Sequence, residues 1–210
     1  DQQRASLREF LERAAETARA AFAVEITYAS LPFEDVDWSL FDVVGLDHYR
    51  EARIKDRYVQ MLEPLLGLGK PTLVTEVGMR GYQGAESSGV LGFGVADTRS
   101  LFLHSLPVVG RFMRPHLQAG EFVRDEELQA REITETLEII EQAGVDGAFV
   151  YTFVEQLSPY SEEPRYDLDM SALSLVKTYA DRMGTTYPDM TWEPKASFRA
   201  VAEFYARHSC

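Results

Sequence analysis

Glu76 sits one residue before the end of Pro71 to Val77 (PTLVTEV), an otherwise apolar run closed by Gly78. A carboxylate in that place is costly to bury unless it has partners or a task. Other apolar runs end in comparable chemistry. Tyr28 stands near the end of Ala23 to Ala29 (AVEITYA), Asp47, His48 and Tyr49 follow Phe41 to Leu46 (FDVVGL), and Tyr151, Phe153 and Glu155 close Gly147 to Val154 (GAFVYTFV). Carboxylates gathered with phenols suit a sugar, whose C–H faces stack on aromatic rings and whose hydroxyls need carboxylate acceptors and a few donors such as Arg80. The same residues have plainer uses. Glu76 can cap a neighbouring helix or pair with Arg80, Asp47 can hold an arginine or an amide, and any single tyrosine can be packing. His48 could bind a metal, but none of His48, His104, His116 and His208 has a second ligand at helical spacing, so no metal is expected. No cofactor is expected either, because Gly78-Met79-Arg80-Gly81 lacks the spacing of a phosphate loop and no GxSxG elbow occurs.

These side chains need a scaffold. Leu7, Phe10, Leu11, Ala14, Ala15 and Ala18 recur at helical spacing, which predicts a helix over Ser6–Ala21 with Ser6 and Glu9 as a capping box. The apolar runs quoted above read as buried strands. Helical spacing returns over Arg53–Leu68, where Gly67 and Gly69 stop it, over Asp125–Ala143, closed by Gly144, and over Pro194–His208. Thr98–Phe112 has the makings of a short helix and Leu173–Tyr179 of one helical turn. Glycines at 78, 81, 84, 89, 92 and 94 and the lack of a sustained period predict long loops over about 78–124 and 156–193. The order α β β α β α β α, with near-continuous apolar strands, predicts an α/β fold: a parallel sheet covered by helices, with ligands beyond the carboxyl ends of its strands.

Composition narrows the partners. The chain of 210 residues carries 21 basic and 34 acidic side chains, a net charge of −13, so a nucleic acid is an unfavourable ligand. No run approaches the 18 or so apolar residues of a membrane span, and Asp-Gln-Gln-Arg does not begin a signal peptide, so a cytoplasmic location with no membrane partner is expected, any N-terminal leader lying ahead of Asp1. Cys210 is the only cysteine, which excludes an intrachain disulfide. A first residue other than Met, already inside a helical pattern, suggests a fragment.

The segments FDVVGLDHYR, GKPTLVTEVG, GVDGAFVYTFVE and WEPKASFRAVAEFY, in this order, resemble the C-terminal half of clan A glycoside hydrolases. Those are (β/α)8 TIM barrels in which a strand-seven Glu follows a KP…TE.G stretch and the chain ends on a PK.SF.A…Y helix. The resemblance is closer still to bacterial barrel proteins called abortive infection proteins, which share TEVG, the Gly-rich loop, DGAFVYTF and YDLDM before a WEPK tail. It runs from about Val24 to Tyr205.

The resemblance implies that residues 1–210 are the C-terminal half of a single barrel domain, with Ala23–Ala29, Phe41–Leu46, Pro71–Val77 and Gly147–Val154 as strands 5–8. Glu76 then matches the nucleophile of a retaining hydrolase of β-linked oligosaccharides, held ionised by Tyr28, Tyr151 or Arg80, with Tyr28, Asp47, Tyr49, Arg80, Tyr151 and Glu155 lining the sugar subsite. The second carboxylic acid, about 5–5.5 Å from the first in such enzymes, belongs to strand four, ahead of this chain. Where the family commonly has a Trp on strand eight, this chain has Tyr151 and Phe153. The expected partners are therefore a carbohydrate and either a missing N-terminal half-barrel or a second chain. The alternative is a non-catalytic carbohydrate-binding or phage-defence barrel that keeps the mouth without turnover.

Overall fold

The computed structural model describes residues 2–88 and 94–208. Of the features read from the sequence, Asp1, Gly89, Gly92 and Cys210 lie outside the described residues. The chain divides into two compact units, one made of Asp1–Arg50, Ile54–Val77 and Leu137–Val150, the other of Glu51–Arg53, Gly78–Thr136 and Tyr151–Cys210.

The first unit holds a parallel four-stranded sheet in the order β1-β2-β3-β4, formed by β1 (Ala29–Ser30), β2 (Val44–Asp47), β3 (Thr72–Val77) and β4 (Gly147–Val150). Helix α1 (Gln2–Ala21) precedes it, and Leu11 and Ala15 of that helix bury with Phe41 in a cluster joined by Leu7, Ile26, Tyr28 and Trp38. Of the helical period read from the sequence, Leu7, Leu11 and Ala15 face a core while Phe10 is 65% exposed, and the capping box does not form: the helix starts at Gln2, and Ser6 lies inside it. Helix α2 (Tyr58–Leu66) lies between β2 and β3 in the chain and buries Tyr58 and Leu62; its first turn is preceded by a 3-10 turn at Lys55–Arg57. Asp146 clamps the start of β3, its carboxylate accepting from Thr72 N–H at 2.8 Å while its own N–H donates to Thr72 O at 2.9 Å.

Two strand expectations need correction. Ala23–Ala29 does not form a full strand, and only Ala29–Ser30 joins the ladder. Ile26 is taken by a different partner: its N–H donates to the Asp42 carboxylate at 2.9 Å and its carbonyl accepts from Asp42 N–H at 2.9 Å. The strand at Gly147 ends at Val150 and is not buried, with Phe149 58% exposed, because β4 is an outer strand of an open sheet.

Gly45, in the middle of β2, shows how closely β1 approaches. A Cβ there would stand 2.7 Å from Tyr28 O and 2.8 Å from Thr27 Oγ1. Gly45→Ala is expected to push the two strands apart and lower stability by about 1–3 kcal/mol, the usual cost of overpacking, read as a shift in the urea midpoint.

The second unit contains α3 (Thr98–Ser105), the antiparallel pair β5 (Val176–Thr178) and β6 (Trp192–Pro194), and α5 (Ala196–His208). The helical turn expected over Leu173–Tyr179 is therefore a strand, since Val176 to Thr178 find backbone partners in a segment too distant along the chain for a local pattern to show. Helix α4 (Glu126–Gln142) contributes to both units, its residues through Thr136 to the second and those from Leu137 to the first.

Buried charge organises the second unit. The Arg124 guanidinium donates to the Asp167 carboxylate at 2.7 Å and to Asp169 at 2.8 Å, and Asp169, 1% exposed, also pairs with the fully buried Lys195 ammonium at 2.9 Å. Glu126 accepts from Arg124 at 3.1 Å, from Lys177 at 3.0 Å and from Ala196 N–H at 3.2 Å, which ties the start of α4 to that of α5. Burial opposes ionisation of Glu126, but the Lys177 and Arg124 cations outweigh it and hold the carboxyl below its ordinary range. No helix among the described residues is long and apolar enough to cross a membrane.

Candidate functional site

The carboxyl ends of β2 and β3 bring together Asp47, Tyr49 and Glu76. Asp47 and Glu76 are register partners on adjacent strands. Along β3 burial alternates from Thr72 to Thr75, as a two-residue period requires, and then breaks, because Glu76 is half-buried like Thr75 before it. The register shifts between Val74 and Val77 on one side of β3 and between Leu46 and Asp47 on the other account for this. A bulge re-aims side chains, and here it leaves both Thr75 and Glu76 partly open to solvent.

Each acid is held by a hydroxyl. The Tyr49 phenol donates to Glu76 Oε2 at 2.6 Å, a length typical of a charge-assisted O–H bond to a carboxylate, and Thr75 Oγ1 donates to Asp47 Oδ1 at 2.7 Å. Tyr49→Phe removes this hydrogen bond and is expected to lower stability by about 0.5–1.5 kcal/mol, read as a fall in the urea midpoint.

The phenol that meets Glu76 is thus Tyr49, where Tyr28 or Tyr151 was expected. Tyr28 donates instead to Glu34 at 3.1 Å, and its ring stacks on Phe41 with centroids 6.1 Å apart. Burial first, then Glu34, then the charge of Asp47 raise the Tyr28 phenol above its ordinary value, so Tyr28 stays a neutral donor among acids. Glu34 escaped the sequence reading. It also accepts from Leu31 N–H at 2.7 Å and sits in a loop with no pattern to mark it.

His48 is not presented to a ligand. It is fully buried, its ring stacks on Tyr58 at 4.0 Å, Nε2 lies 3.1 Å from Tyr58 O, and the Tyr58 phenol donates to His48 O at 2.8 Å. Burial lowers its pKa, with the Tyr58 carbonyl opposing weakly, so the folded state prefers neutral His48. A folded value below the unfolded one, about 6.5, means that this stabilisation is present above that pH and is lost as pH falls. The urea midpoint is therefore expected to drop between pH 7 and pH 5, and His48→Gln to flatten that drop.

The remaining candidates belong to the second unit. Arg80, expected to donate to a sugar hydroxyl, is 2% exposed and donates from Nε to Ser171 O at 3.0 Å. The Tyr151–Thr152 peptide bond is cis, and Tyr151 is 45% exposed. Glu155 accepts from Ser158 Oγ at 2.7 Å and from Leu173 N–H at 3.3 Å. Tyr151 and Glu155 both line a cavity of 1380 Å³. Among the described residues, no group of three or more His, Cys, Asp or Glu side chains is arranged to hold a metal ion.

A structure of a GH113 β-1,4-mannanase is similar to this chain with a TM-score of 0.57 at 13% identity, over 96% of this chain and 52% of the mannanase. A complex structure of a GH113 β-1,4-mannanase matches at 0.55 and 14%, over 93% and 50%, and a Ruminococcus gnavus β-glucuronidase at 0.51 and 13%, over 96% and 29%. The fold is glycoside-hydrolase-like. The chain spans about half the length of the mannanase structures, and its four parallel strands are consistent with part of a TIM barrel. No family model and no curated protein matches the sequence.

Proposed function

We propose that this chain supplies strands 5–8 of a (β/α)8 barrel of the clan A type and that the complete barrel is a retaining glycoside hydrolase acting on a β-linked oligosaccharide. The observation that carries the reading is the Glu76 carboxylate, half-buried at the end of β3, held by the Tyr49 phenol at 2.6 Å and paired in register with Asp47. A carboxylate held in one rotamer by a short hydrogen bond is prepared to attack an electrophilic carbon.

In this reading Glu76 attacks the anomeric carbon, and the glycosidic C–O bond breaks as a second carboxylic acid gives its proton to the leaving oxygen. Water, deprotonated by the same second acid, then displaces Glu76 and restores the starting anomer. That acid comes from strand four, provided by an N-terminal half-barrel or a second chain. The outer strands β1 and β4, with Phe149 exposed on the latter, support such a partner, because open edges and exposed aromatics call for cover. Tyr28, Asp47 and Tyr49, in the same unit as Glu76, are assigned to the sugar site, whereas Arg80, Tyr151 and Glu155 belong to the second unit.

The test is an assay of the full-length protein on neutral β-linked oligosaccharides, with the anomer of the product followed by NMR. Hydrolysis with retention is expected. Binding of these sugars without turnover would favour the carbohydrate-binding or phage-defence alternative.

A further inference from the structure

The cavity of 1380 Å³ lies wholly within the second unit and is built from α3, the segment around Arg114, and the stretches after β4. It exceeds the roughly 300–1,000 Å³ of a pocket shaped for one small molecule. Four tyrosines line it: Tyr151, Tyr160, Tyr166 and Tyr179. Tyr160 is fixed in place, its N–H donating to Thr178 O at 2.8 Å and its ring facing the cations of Arg124 at 4.9 Å and Lys177 at 5.4 Å. A ring oriented before the ligand arrives loses little freedom on binding.

The charges of the lining select among ligands. Both arginines that face the cavity are engaged. Arg114 pairs with Glu163 at 2.9 Å and lies 3.9 Å over the Tyr166 ring, and Arg182 pairs with Glu162 at 3.0 Å and lies 4.4 Å over Tyr179. Glu155 and Asp181 add two carboxylates to this lining with no further arginine. An anionic ligand would meet excess negative charge and cations already paired, whereas a neutral sugar meets rings to stack on and carboxylates to accept its hydroxyls.

We propose that this cavity binds a neutral oligosaccharide of several sugar rings and rejects uronate-bearing ones. The choice of a sugar rests on the function proposed above; the size and charge of the ligand rest on the cavity.

The test uses the full-length protein carrying Glu76→Gln, so that sugars bind without turnover, titrated calorimetrically with β-1,4-mannohexaose, laminarihexaose, cellohexaose and β-1,4-linked hexamannuronate, the acidic counterpart of mannohexaose. At least one neutral hexaose is expected to bind more tightly than hexamannuronate and to lose affinity about tenfold or more with Tyr160→Ala. The double variant Glu162→Gln and Glu163→Gln alters only exposed side chains, frees both arginines, and is expected to raise hexamannuronate affinity about tenfold. Failure of every neutral hexaose to bind, preference for hexamannuronate, or indifference to both sets of substitutions would overturn the proposal. The two readings part cleanly: Tyr160-dependent binding in a protein that hydrolyses nothing leaves the cavity standing and removes the hydrolase, and hydrolysis indifferent to Tyr160 with no cavity binding does the reverse.

Discussion

Glu76→Gln in the full-length protein is expected to lower kcat on a β-linked substrate by on the order of 10⁴-fold while leaving KM and the urea midpoint nearly unchanged. The amide keeps the size of the side chain and can still accept from Tyr49, so the local structure has no reason to change. What disappears is the electron pair that would form the bond to carbon, and positioning with electrostatics alone remains. A loss of comparable size with a fallen urea midpoint would instead mean that Glu76 holds β2 and β3 together through Tyr49.

Arg124→Leu is expected to destabilise the protein by about 3–5 kcal/mol, because it removes one partner from a buried ion cluster and leaves the other uncompensated. Asp169 keeps Lys195 at 2.9 Å, but the buried Asp167 loses all three of its guanidinium bonds. Burial already pushes the Asp167 carboxyl above its ordinary range despite Arg124, so loss of the cation must push it further. A folded value above the unfolded one favours the folded state as the group protonates, and the deficit of Arg124→Leu relative to the parent should therefore shrink as pH falls. Adding Asp167→Asn to Arg124→Leu should recover part of the stability at pH 7. Urea unfolding of the three proteins at pH 7 and pH 4.5 gives the comparison.

The elements that carry a strong local period are legible in the sequence, and those decided by distant partners are not. Pro71–Val77 becomes Thr72–Val77 and Asp125–Ala143 becomes Glu126–Gln142, because an uninterrupted apolar pattern and a closing Gly78 or Gly144 define them from within. Ala23–Ala29 has the β-branched content of a strand, yet the Asp42 carboxylate captures Ile26 N–H, a choice made across 16 residues. Leu173–Tyr179 offers no period that would reveal Trp192–Pro194 as its partner.

The site follows the same division. Asp47, Tyr49 and Glu76 stand out as candidates because acids and phenols at the ends of apolar runs are conspicuous, and β2 and β3 bring them together. The identity of the phenol that meets Glu76 depends on the register shifts beside Asp47 and Val77, which residue types do not encode singly. Asp167, Asp169 and Lys195 left a faint mark, charges within the YDLDM and WEPK segments, and Arg124 left none; only their mutual pairing at a distance makes them intelligible.

The claim that Glu76 is a nucleophile is tested most directly by covalent capture. The full-length protein incubated with a 2-fluoro β-glycoside bearing a good leaving group should gain the mass of one fluoroglycosyl unit, carried on the peptide that contains Glu76 and absent from Glu76→Gln. A label on any other residue, or turnover of the glycoside with inversion of the anomer, would contradict it.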